Sequence, residues 1–148
     1  MIPRLHKGMA FALGMHVLAM TPGCATTTTH LRIQADADVN APIPGERGAP
    51  VYVLVKLSTP DAFSVEGYNN VEALASQALT GKLPEGVPLA PVRVKPGEKV
   101  WVRFKVAPGQ SYGVYALFTE ARDDGSWKVL MTPSTIGRVH LGRAEILE

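Results

Sequence analysis

A chain of 148 residues, 46% hydrophobic and 19% charged, has room for one domain of ordinary size. The formal charge is +2, but with Arg4 and Lys7 at the very start set aside, basic and acidic residues balance at 13 each, which gives no bulk electrostatic case for nucleic acid or another polyanion. One cysteine excludes an intrachain disulfide.

The first segment reads as a targeting sequence. Arg4 and Lys7 precede an apolar run over residues 8–20 (GMAFALGMHVLAM), about 13 residues long, too short to cross a membrane but suited to a signal peptide. Gly23 places a small residue directly before Cys24, as a lipoprotein signal peptidase requires, although Thr21 and Pro22 replace the usual residues of that box. The predicted organisation is therefore a signal peptide over residues 1–23, a lipidated tether over 24–30 beginning at Cys24 and running through Thr26 to His30, and a folded domain over 31–148. Ala25 follows the cysteine where an Asp would mark inner-membrane retention, so the expected address is the periplasmic face of the outer membrane, held by the lipid.

Within the domain, residues 31–35 (LRIQA) alternate apolar and polar and predict a half-buried strand. Residues 36–50 carry Pro42, Pro44, Gly45, Gly48 and Pro50 and predict a loop of about 15 residues, a length often associated with function. Residues 51–57 (VYVLVKL) are apolar on both faces and predict a central strand. Tyr68, Val71, Leu74, Ala75, Ala78 and Leu79 recur at helical spacing; Asn69 and Glu72 suggest a capping box, and Gly81 the stop. Strands then follow at 92–95, 100–106, 112–119, 127–132 and 137–147, the last bulged near Gly142, separated by Pro96-Gly97, Pro108-Gly109 and Asp123-Asp124-Gly125. About seven strands with one short inserted helix predict an all-β fold, a two-sheet β-sandwich.

Chemistry is sparse. His30, His140 and Cys24 do not form a zinc-type cluster, and Asp36, Asp38 and Asn40 open like a calcium loop but lack its Gly and its closing Glu. No serine stands in a nucleophile elbow and no Gly-rich loop joins a strand to a helix. Neither catalytic residues, cofactor nor metal are expected, and the chain reads as a binding protein rather than an enzyme. Lys99, Trp101, Arg103 and Lys105 share one face of a strand, with Arg93 and Lys95 expected on a strand paired beside it. The plain reading is a solvated sheet face; the alternative is a periplasmic ligand- or carbohydrate-binding surface built on Trp101, Arg103 and Lys105.

The order of features resembles the TssJ (VasD, SciN) lipoproteins of type VI secretion systems. The resemblance rests on the lipidation cysteine, the polar tether, the strand VYVLVKL followed by Phe63, and Val94-Lys95-Pro96-Gly97-Glu98, which looks like the family's L-x-P-G turn. It extends through Tyr112-Gly113-Val114-Tyr115-Ala116-Leu117-Phe118 and the late Trp127. The resemblance implies a transthyretin-like sandwich anchored in the outer membrane that binds the periplasmic domain of the inner-membrane protein TssM. It also implicates the loop between the first two strands, here residues 38–49, with Asp38, Asn40, Pro42, Ile43, Pro44, Glu46 and Arg47 as the candidate contacts.

Overall fold

The computed structural model describes residues 25–147; the predicted signal peptide and Cys24 lie outside the described residues. The domain is a sandwich of two four-stranded sheets. The first has the order β4 (Lys99–Val106), β1 (Thr27–Ala35), β7 (Ile136–Leu141), β8 (Ile146–Leu147), with β1 parallel to β7 and antiparallel to β4. The second has the order β3 (Val92–Val94), β2 (Val51–Leu57), β5 (Tyr112–Leu117), β6 (Lys128–Met131), antiparallel throughout. Helices α1 (Pro60–Val65) and α2 (Tyr68–Leu79) lie in the connection from β2 to β3.

The doubly apolar strands are the central pair of the second sheet, as their composition requires. Val53, Val55, Val114 and Ala116 face the first sheet, while Leu54 and Tyr115, paired across the strands, face the other way and are equally buried. That outer face is covered by the helical segment. Phe63 of α1 packs on Tyr115 with ring centroids 5.8 Å apart, and Tyr68 meets Trp127 edge to face at 5.1 Å. Val71, Ala75 and Ala78 are the buried stripe of α2. Between the sheets, Leu31, Ile33, Val139, Leu141, Phe104 and Tyr112 are buried, with Tyr112 edge-on to Phe104 at 5.0 Å. Each such large side chain contributes about 1.5–3 kcal/mol by leaving water.

Several expectations are corrected. β1 begins at Thr27, so residues 27–30, assigned to the tether, are strand; Thr29 is fully buried and His30 pairs with Arg103 and Ile136. A second helix, α1, precedes the predicted one: Thr59 caps the Ala62 amide and Pro60 occupies the first helical turn, where it has no amide to lose. Gly67, not Asn69, precedes α2, and no side chain caps it. Arg93 and Lys95 are not beside β4, because Pro96-Gly97 carries the chain from one sheet to the other. Lys95 to Glu98 form a turn with Gly97 at φ +74°, and β3 pairs with β2. The single last strand is the hairpin β7–β8, turning at Gly142.

Candidate functional site

The β1–β2 connection, residues 36–50, lies at the end of the sandwich where β1 and β7 finish. Its base is fastened from several sides. The Asp36 amide donates to the Leu141 carbonyl, the Asn40 amide to Arg143 at 2.7 Å, and the Gly97 amide to the Asp36 carbonyl. The Gly48 amide returns to Ala37 and the Ala49 amide to Val39, closing the loop on itself. At Gly48 a Cβ would stand 2.1 Å from the Val39 oxygen, so only glycine allows that closure.

Asn40 is the central brace. It adopts φ 56°, a left-handed conformation that Asn tolerates better than most residues. Its Nδ2 donates to the Pro50 carbonyl, and its Oδ1 accepts from the Thr119 amide at 2.7 Å. Arg143 adds a further tie, reaching the carbonyls of Ala41 and Pro42 at 3.3 Å each. Val39 and Ala41 are buried beneath the loop.

The tip has the opposite character. Pro42, Ile43, Pro44, Gly45, Glu46 and Arg47 are all exposed, and Ile43 leaves 56% of its surface in water. A turn closes between the Ile43 carbonyl and the Glu46 amide, with Gly45 at φ +80°. Of the seven residues predicted at this loop, Pro42, Ile43, Pro44, Glu46 and Arg47 form the protruding tip, whereas Asp38 is half-buried and Asn40 is committed to holding the base. A cleft of about 210 Å³ runs beside the tip, lined by Asn40, Ala41, Pro42, Thr119, Glu120, Arg143 and Ala144. Thr119 and Arg143, which sequence reasoning missed, therefore belong to this end of the molecule.

The other predicted groups are placed elsewhere. Asp36 does not join Asp38 and Asn40 in a cation cage: its carboxylate is 2.6 Å from His140 Nε2. Among the described residues no three His, Cys, Asp or Glu side chains cluster. Trp101, Arg103 and Lys105 share the exposed face of β4, as predicted, on an open sheet surface; they line neither the cleft beside the loop nor a wider groove bounded by Tyr68, Asp123 and Lys128.

Comparison with known proteins identifies relatives of the whole domain. The family model for type VI secretion lipoproteins (T6SS-SciN; VasD, EvfM, TssJ) matches residues 27–142. No curated protein sequence matches. Among solved structures, one described as the T6SS lipoprotein TssJ1 from Pseudomonas aeruginosa is 20% identical, covering 83% of this chain and 95% of its own, with a TM-score of 0.61. Serratia marcescens Lip, described as a membrane-bound component of the type VI secretion system, is 19% identical over 81% of this chain and 95% of its own, with a TM-score of 0.55. A structure described as the T6SS protein TssM C-terminal domain from EAEC matches at 21% identity, 83% and 97% coverage and a TM-score of 0.63. At these identities the structural likeness speaks for the shared sandwich fold.

Proposed function

Since the chain belongs to the type VI secretion lipoprotein family of TssJ and VasD, we propose that it is lipidated at Cys24, is held on the periplasmic face of the outer membrane, and binds the periplasmic domain of a TssM-like inner-membrane protein through the tip of its β1–β2 loop. Its role is to fix a membrane complex in place, with no reaction of its own. The partner class is the one that the resemblance to the TssJ lipoproteins implies.

The observation that carries the reading is the division of the loop into a fastened base and an exposed apolar tip. Pro42 and Pro44 limit the backbone on both sides of Ile43, and Asn40 and Arg143 hold the base from below. A segment ordered before contact loses little conformational entropy on binding, so more of the contact energy appears as affinity. Ile43 supplies an apolar anchor, and Glu46 and Arg47 supply the polar rim that sets register.

The test is calorimetric titration of the lipidated full chain in detergent with the purified periplasmic domain of the cognate TssM-like protein. Ile43→Asp should weaken binding by about tenfold or more, the range of an interface anchor, while thermal unfolding of the variant stays unchanged. An affinity equal to that of the parent chain would remove the loop from the interface. Mass measurement of the mature N-terminus, set against Cys24→Ser, tests the anchor separately.

A further inference from the structure

The strand register sorts the first sheet into two faces. The inner face is the core. On the outer face, Arg103, His30 and Ile136 form one row across β4, β1 and β7, and Trp101, Arg32 and Arg138 form the next. Lys105 and Lys99 extend the β4 edge on either side of these rows. Five fixed cations thus share one face; the Asp36 carboxylate at its Lys99 end, away from Lys105, lies 2.6 Å from His140. The described ion pairs, Lys56–Glu66, Arg122–Glu145 and His140–Asp36, use none of the five. Arg32 Nε is shielded from water without a partner. Set among these cations, Trp101 and Ile136 leave 55% and 54% of their surface exposed.

The position of this face relative to the chain start decides what it meets. β1 is a central strand of the same sheet and begins at Thr27, three residues after Cys24. Three residues reach at most about 10 Å, close to the Debye length of about 8 Å at physiological ionic strength. A lipid on Cys24 would keep the Arg103–Lys105 end of the face within range of headgroup charge. Cations interleaved with an exposed Trp are also the composition that settles at a membrane–water interface.

We infer that the outer face of the first sheet rests on the anionic lipid surface in which the Cys24 lipid is inserted, with headgroup phosphates accepting hydrogen bonds from Arg32, Arg103, Lys105 and Arg138 and with Trp101 at headgroup depth. This rests on the lipid anchor proposed above. It turns the helix-covered second sheet away from the membrane and leaves the β1–β2 loop free at the side.

The experiment uses the lipidated full chain reconstituted into vesicles whose acyl chains carry bromine. Trp127 is 5% exposed and lies in the core, so contact quenching reads Trp101, with Trp101→Phe as the blank. Quenching is expected to be several-fold greater in vesicles of phosphatidylglycerol and phosphatidylcholine than in phosphatidylcholine alone, and to fall when salt is added to the unaltered chain. The double variant Arg103→Glu, Lys105→Glu should lose the difference while it still floats with vesicles and still binds the TssM-like domain. A chain that floats but shows equal, weak quenching in both vesicle types overturns the inference and leaves the anchor standing. A chain that does not float overturns the anchor and this inference with it. A double variant that keeps its quenching but loses the TssM-like domain assigns the face to a protein partner instead.

Discussion

Asn40 shows how a residue that reads as a binding-loop polar group can be spent entirely on structure. Its side-chain amide joins Pro50 to Thr119, a residue 79 positions away, and its backbone occupies a conformation costly for most other residues. Asn40→Ala leaves a carbonyl and an amide without partners and keeps the strained φ; the expected loss is about 1–3 kcal/mol of folding stability. Asn40→Asp keeps the acceptor for the Thr119 amide and should fall between the two. Urea unfolding measures both, and an Ala variant as stable as the parent would mean that water replaces the brace. Gly48→Ala should cost more than either, because its Cβ collides with the Val39 backbone at 2.1 Å rather than with a side chain that can move. Nothing in the residues around position 40 announced this role: the Pro and Gly content of the loop was legible, but the partner at Thr119 is a tertiary fact.

At the scale of elements, α1 is held by something outside it. Six residues are too few for a helix to persist alone. The Lys128 ammonium donates to the carbonyls of Phe63 at 2.7 Å and Glu66 at 3.0 Å, sits 4.7 Å from the Phe63 ring, and so closes the negative end of α1. Lys56 holds the Glu66 carboxylate at 2.8 Å on the same side. Lys128→Met keeps the apolar stem and removes the charge. It should lower stability by about 1–2 kcal/mol, with amide exchange over residues 60–66 rising more than in the strands; uniform exchange across the domain would contradict a local role. The elements that were legible in the sequence are those with a strong period, such as α2 and the doubly apolar β2 and β5. Those missed or misread turn on a single contact: the Thr59 cap and Pro60 that start the unpredicted α1, and the Pro96-Gly97 turn that changes sheets, a choice that local residues leave open.

For the molecule as a whole, the sum of charges conceals their arrangement. A balanced body of 13 acidic and 13 basic residues still presents five cations on one sheet face, because period-two alternation in β4, β1 and β7 collects them there. The pH response is also a property of the packed whole. Burial, reinforced by the Glu66 charge, raises the Tyr115 hydroxyl from 10.0 to about 12, and burial raises Tyr112 in the same direction. A folded-state value above the unfolded one favours the protonated form in the fold, so this stability is complete below pH 10 and is lost as pH rises through about 12. Urea midpoints should fall over that window together with a delayed rise in tyrosinate absorbance, and Tyr115→Phe should flatten the fall; parallel curves for the two chains would exclude Tyr115 as the cause. The placement of β1 has a mechanical side as well. Tension applied between its Thr27 end and the loop after Ala35 runs along a strand hydrogen-bonded to β4 on one flank and β7 on the other. Both ladders then bear the load in shear, many bonds at once rather than one after another, which makes the strand joining the two ends of the domain the part hardest to pull out.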